Sequence, residues 1–130
     1  MVVGYRAPRR DPFLRVLFGH GWSSIVTLLF GYTARDIDCA FKLLRRRTFE
    51  QVAPAILSRG ATFSAEWLVL SNRVAHCRIV EVPVSHLPRI AGAQTGARLD
   101  VITRAFRELW RFRLRLWREA PQLAVTVASE

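Results

Sequence analysis

Lysine is almost absent from this chain: Lys42 is the only one, so nearly all of its positive charge is arginine. Arginine's planar fork suits bidentate contact with phosphate or carboxylate, whereas a lysine-rich surface offers point charges. Cysteine is scarce too. Cys39 and Cys77 make neither a CxxC pair nor a Cys/His ligand spacing, which excludes a disulfide framework and a structural zinc and points to a reducing, cytoplasmic-side setting. The first residues, MVVGYRAPRRDP, lack the charged start, apolar run and small-residue cleavage site of a signal peptide, so nothing in them directs export. Walker and dinucleotide spacings, internal repeats and low-complexity tracts are missing as well. Acidic residues number 10 against 20 basic ones, leaving a formal net charge of +10. Such a surface attracts polyanions, whether nucleic acid, anionic lipid or a phosphorylated ligand. With 130 residues and 51% hydrophobic content the chain is of single-domain size and carries enough apolar material for a core.

The stretch that organises the rest is residues 35–47, RDIDCAFKLLRRR. Taken as a strand, it puts Ile37, Cys39, Phe41 and Leu43 on one face and Asp36, Asp38, Ala40 and Lys42 on the other. Two aspartates about 7 Å apart on one strand face are unusual, because Asp is depleted from strands. Either they pair with Arg35, Lys42 or Arg45, or they belong to a site for a ligand bearing both phosphate and hydroxyl groups.

Before that stretch, Val2 and Val3 look like the end of a strand entered from upstream, which raises the expectation of a truncated product. Arg6, Arg9 and Arg10 then crowd a proline-containing loop. Asp11 with Pro12 predicts a helix start, a capping carboxylate followed by proline at the first helical position. The helix is expected over residues 12–30, with a break near residues 19–21 and an end at Gly31. Its uncharged run, residues 16–34, approaches the length of a membrane span but is diluted by Gly19, His20, Gly21, Ser23 and Ser24. The preferred reading is a helix on the core or at a membrane surface.

After residues 35–47, a short helix over 48–58 with Thr48 as its cap is expected, then one from residue 62 or 64 to 76 that starts near Glu66. Residues 78–84 read as an edge strand carrying Pro83. The loop 86–97, HLPRIAGAQTGA, holds Arg89 among glycines that let a backbone approach an anion. A last helix over residues 98–118 sets Arg104, Arg107, Arg111, Arg115 and Arg118 in one stripe, with Ile102, Phe106, Leu109, Trp110, Leu116 and Trp117 across from it. That is a basic amphipathic helix with tryptophans, suited to a lipid headgroup region, to an acidic partner, or to a solvated face over the core. A structureless tail is expected over residues 120–130.

In order along the chain, the blocks GYRAPRRDPFLR, RDIDCAFKLLRR, FSAEWL and RIVEVPVSHLPRIAGAQTGA resemble the carboxy-terminal half of inverting family 2 glycosyltransferases. The likeness is to the polyprenyl-phosphate (dolichyl-phosphate type) mannosyl- and glucosyltransferases. It implies an α/β fold, the acceptor-side part of a GT-A, Rossmann-like domain over residues 1–97, followed by a membrane-surface helix over 98–119. It also implies a Mg²⁺ or Mn²⁺ cofactor bound with the nucleotide sugar by an Asp-x-Asp motif in a first half that these residues lack, so no metal ligand is assigned here. By resemblance Asp36 is the family's acceptor-strand aspartate, while Asp38, Cys39 and Ala40 depart from its Thr, Ser and Gly. The phosphate-contacting arginines fall on Arg6, Arg15 and Arg89, with Asp38 beside them on the acceptor side. Gly19 stands where relatives often carry a serine. Glu66 lies where processive members place a base, a role that an already anionic acceptor would not need.

The expected activity is transfer of a hexose from a nucleotide sugar to a polyprenyl phosphate or similar lipid, at the cytoplasmic face of a membrane. The expected peripheral contact is through Arg104, Arg107, Trp110, Arg111 and Trp117. Alone the chain is expected to be inactive, its partners being the lipid, the membrane surface and a separately encoded donor-binding half. The rivals are a catalytically inactive interaction protein of the same descent and a basic nucleic-acid-binding module. The second lacks any helix-turn-helix, RNP or finger pattern, so no nucleic-acid partner is expected.

Overall fold

A computed structural model describes residues 1–9, 11–87 and 99–128, with side chains described as far as residue 119. Among these residues the chain is a small α/β fold of four α-helices and a three-stranded mixed sheet. Strand β1, Val2–Arg6, is central. It pairs antiparallel with β2, Lys42–Leu43, and parallel with β3, Val80–Val84, giving the order β2-β1-β3. The register sets Val2 opposite Leu43 and Val80, and Tyr5 opposite Pro83. Pro83 therefore lies on an edge strand, as its missing N–H requires.

Helix α1, Phe13–Phe30, runs without interruption through Gly19 and Gly21, contrary to the expected break. It ends where predicted: Gly31 takes φ +79°, and its N–H donates to the Thr27 carbonyl at 2.8 Å. Asp11 does not cap it; Pro12 holds the cap position without a side-chain bond. The Asp11 carboxylate is drawn instead to the nearby arginines. By length and composition α1 is the one helix among the described residues apolar enough to cross a membrane. Val26 and Phe30 near its end are buried, while Phe13, Leu14, Leu17, Phe18 and Leu28 face outwards.

The largest departure from expectation is at residues 35–47, where the strand shrinks to Lys42–Leu43. Residues 36–39 form a turn in which the Cys39 N–H donates to the Asp36 carbonyl at 3.2 Å. Lys42 Nζ donates to the carbonyls of Ile37 and Cys39, bracing that turn. Alternation fails accordingly: Ile37 and Cys39 are buried as foreseen, but Asp36 is buried with them while Phe41 and Leu43 are exposed. Arg6 binds both oxygens of Asp36, and this two-point bond holds the carboxylate inward.

Helix α2, Arg46–Val52, begins before Thr48 and has no side-chain cap, and the 3₁₀ turn Ala53–Ala55 ends it at Pro54. Helix α3 spans Phe63–Arg73; Thr62 precedes it, yet its hydroxyl donates to the Ala105 carbonyl rather than to its own helix. Helix α4, Leu99–Ala128, continues past Pro121 through the stretch expected to be a structureless tail. Pro121 and the β-branched Val125, Thr126 and Val127 do not favour a helix there, and what supports the continuation is that extending an existing helix is cheaper than nucleating one.

The core gathers Val3 from β1, Val26 and Phe30 from α1, Ile37, Val52, Leu68, Val69 and Leu70 from the middle elements, and Leu109, Phe112 and Leu116 from α4. Phe30 and Phe112 stack with ring centroids 5.0 Å apart, tying the end of α1 to α4. On the sheet face opposite to Val3, Leu43 and Val80 remain exposed beside Val2, with Phe41 exposed next to them.

Candidate functional site

The end of β1 delivers Arg6 to the turn at Asp36. Its Nε donates to Asp36 Oδ2 at 2.7 Å and its Nη2 to Oδ1 at 2.8 Å, a two-point fork, while its backbone N–H adds a third bond to Oδ2 at 3.2 Å. Burial of Asp36 works to raise its pKa, but the bonds and the charge of Arg6, with Arg9 behind, outweigh it and leave the carboxyl below its ordinary range. The hydrogen bond to Asp36 also raises Arg6 against the opposing effect of burial. The pair therefore stays ionised.

A second carboxylate draws the neighbouring basic side chains together. Asp11 has Arg6 Nη1 at 3.5 Å, Arg9 Nη2 at 3.6 Å, Arg15 Nε at 3.3 Å and His86 Nδ1 at 3.9 Å. Its own side chain is almost wholly buried. This cluster stands at the start of α1 and opens on a cavity of about 640 Å³ lined by Arg6, Arg9, Arg15 and Asp38. The rest of the lining is apolar. It comes from Leu14, Phe18, Trp22 and Ile25 of α1 and Val101, Ile102, Ala105 and Phe106 of α4. From Leu14 to Ile25 is roughly 16 Å of helix at about 1.5 Å per residue. Trp22 and Phe106 meet edge to face at 6.1 Å, joining α1 to α4.

Asp38 is open to solvent at the cavity. Protein packed around its carboxyl, and then the charge of Asp36, push its pKa up. It is a negative group facing the same space as three guanidiniums. The arrangement suits a molecule with an anionic head, a hydroxyl or other donor next to it, and an apolar body.

Arg6, Arg15, Asp36 and Asp38, all anticipated from the sequence, are thus brought to one place. Arg89 lies outside the described residues. Glu66 lies elsewhere: it is fully buried in α3, where it accepts N–H bonds from Leu57 at 3.2 Å and Ser58 at 2.7 Å and an ion pair from Arg115. Those bonds occupy both oxygens, so Glu66 serves the joint between the loop after the 3₁₀ turn, α3 and α4, and it does not line the cavity. Arg9 and Asp11 were not anticipated as site residues. The crowding of arginines around Pro8 and Asp11 was the available signal, but it read as a loop and a helix cap.

Helix α4 presents three stripes. Ala105, Leu109, Phe112 and Leu116 are buried. Phe106, Trp110 and Trp117 are exposed, within about 40° of one another at 100° per residue. Arg104, Arg107, Arg111 and Arg118 are exposed beside them, Arg104 pairing with Glu108 at 3.0 Å. Arg115, expected in the same row, turns inward to Glu66.

Among the described residues no cluster of three or more His, Cys, Asp or Glu side chains is placed to hold a metal ion. Both oxygens of Asp36 are engaged by Arg6, so Asp36 and Asp38 do not offer the converging free oxygens that Mg²⁺ or Mn²⁺ needs. No family model matches the chain, and no curated protein and no solved structure matches it.

Proposed function

We propose that this chain supplies the acceptor side of a membrane-associated glycosyltransferase of GT-A type, which moves a hexose from a nucleotide sugar onto a polyprenyl phosphate or similar lipid phosphate. The observation that carries this reading is the cavity of about 640 Å³ with arginines where α1 begins and apolar walls along α1 and α4. An amphiphilic acceptor needs charge compensation at its phosphate and dry walls for its chain. The exposed Trp110 and Trp117 with their flanking arginines, on a helix that also walls the cavity, favour a cytoplasmic membrane surface as the source of that lipid.

In this reading Arg6 and Arg15 hold the acceptor phosphate, Asp36 fixes Arg6, and Asp38 receives a hydroxyl of the incoming hexose. The nucleotide sugar and its Mg²⁺ or Mn²⁺ belong to a donor-binding half outside these residues, and the exposed sheet face at Phe41, Leu43 and Val80 is where such a half would pack. That same face supports the second reading, an inactive interaction protein of this descent.

The test is reconstitution: join the chain to the donor half of a polyprenyl-phosphate glycosyltransferase and follow labelled hexose into lipid. Transfer is expected only in the joined protein, and Arg15→Ala is expected to lower it about 30- to 1000-fold, the scale of one preorganised charge contact. Turnover by the unjoined chain, or full turnover with Arg15→Ala, rejects the assignment.

A further inference from the structure

Arg9 meets the cavity differently from its two neighbours. Arg6 is locked to Asp36 by two bonds of 2.7 and 2.8 Å, and Arg15 sits 3.3 Å from Asp11 across one helical turn. Arg9 reaches Asp11 only at 3.6 Å, outside hydrogen-bond distance, and its buried Nε has no hydrogen-bond partner among the described residues. A buried donor left without a partner is costly, so the group is poised for one beyond the described residues.

Its guanidinium rests against α1 at Gly19. A Cβ placed there would meet Arg9 Nη2 at 3.1 Å and Nη1 at 3.3 Å. Glycine inside a helix is unfavourable relative to alanine, and Gly19, unlike Gly31, does not have the positive φ that would explain it. What position 19 requires is space. The missing side chain lets an arginine from the loop before α1 lie on the helix and enter the cavity wall, where both residues contribute lining.

We propose that Arg9, seated on Gly19, is the guanidinium that closes on the anionic head of the ligand and sets the preference for a phosphate monoester over a neutral head. This rests on the amphiphile reading given above. Three guanidiniums face Asp11 and Asp36, whose two charges are already engaged. Arg9 is the least committed of the three, and a dianionic head has most to offer it. Because Nη1 and Nη2 end a flexible side chain, a methyl group at position 19 shifts the guanidinium by a few tenths of an ångström without disturbing the backbone.

The experiment is calorimetric titration of the full chain with dodecyl phosphate and, separately, dodecanol, for wild type, Arg9→Gln, Gly19→Ala, their double variant and Arg15→Gln. The wild type is expected to prefer the phosphate. Arg9→Gln is expected to weaken the phosphate about tenfold, the scale of one charge-assisted contact, and to leave dodecanol unchanged. Gly19→Ala is expected to weaken it about two- to fivefold with an undiminished melting temperature, and the double variant to match Arg9→Gln alone because one guanidinium mediates both effects. If Arg15→Gln removes the preference while Arg9→Gln leaves it intact, the cavity reading stands and Arg9 is not its selector. Additive losses in the double variant reject Gly19 as the seat. A wild type that binds both probes equally, or neither, overturns the amphiphile reading and this inference with it.

Discussion

Asp36 and Glu66 are both buried carboxylates bound by an arginine and by backbone N–H groups, yet only Asp36 stands beside an opening. Around Asp36 the neighbourhood is rich in further charge: Asp11, Arg9, Arg15 and Asp38 all lie within the same cluster or cavity wall. Around Glu66 it is core, with Arg115 lying over the Phe112 ring at 5.3 Å. An ion pair of the second kind joins elements; one of the first kind also leaves unspent charge facing a ligand-sized space. Burial of a carboxylate is therefore a poor guide to chemistry unless an accessible volume adjoins it.

The sharpest way to break this contrast is to delete each arginine. Arg115→Ala is expected to cost about 3–5 kcal/mol in urea denaturation, because the wholly buried Glu66 loses the cation that pairs with it. Arg6→Ala is expected to cost less, about 2–3 kcal/mol, since Arg6 lines the cavity and its removal lets solvent reach Asp36. Equal losses at the two sites would erase the distinction between a joint and a site.

The inward Arg115 also contrasts with the outward row on the same helix. Replacing Arg104, Arg107 and Arg111 together by Gln is expected to weaken sedimentation with anionic vesicles about a hundredfold at modest salt, at about 1 kcal/mol per basic residue. Folding stability should change little, for all three are exposed. Undiminished vesicle binding would remove the membrane role of that face.

Acid titration separates the two aspartates at the cavity. Asp36 has its folded pKa below the unfolded value of about 3.9, so its contribution is complete above that value and is lost as the pH falls through the folded one. Asp36→Asn should cost about 1–3 kcal/mol at pH 7, the worth of bonds to a charged group, and the gap from wild type should close in acid below about pH 4. A gap that persists unchanged into acid would mean that the pairing contributes nothing through charge.

Asp38 has the opposite sign. Its folded pKa is raised, so ionisation opposes folding as the pH climbs from the unfolded value through the folded one. Asp38→Asn is expected to stabilise the chain at pH 7 by a few tenths of a kcal/mol, a small effect because this exposed carboxyl is screened by water. Destabilisation would show that the carboxylate has a structural partner.

Local signals carried well where a single residue's backbone preference decided the outcome. Gly31 closes α1, Pro83 lies on an edge strand, and the row Arg104, Arg107, Arg111 and Arg118 on α4 is exposed as helical spacing predicts, though Arg115 leaves it and the apolar face divides into a buried and an exposed stripe. They failed where side-chain partners came from far away. Asp11 read as a cap because Pro12 follows it, but three arginines and a histidine compete for its oxygens. Residues 36–39 read as a strand because apolar residues alternate there, but the fork from Arg6 and the bracing by Lys42 favour a turn. Glu66 does stand in the first turn of α3, as its reading as a helix-start charge had it, but its partners, two backbone N–H groups of the loop 56–59 and Arg115, are ones that no periodicity reveals.

By itself the sequence determined that the chain is a basic, arginine-dominated α/β protein, where α1 and α3 lie and that α4 is amphipathic, since composition, spacing and glycine or proline punctuation act over a few residues. Tertiary structure alone decided that Arg6 clasps Asp36 across 30 positions while Arg115 clasps Glu66 across 49. It also decided that Arg9 lies in the gap left by Gly19 and that α1 and α4 line an open, largely apolar cavity. The reason is that an arginine's partner is chosen by proximity after packing, when burial makes an unpaired charge intolerable, and nothing in the local chain encodes which distant carboxylate arrives.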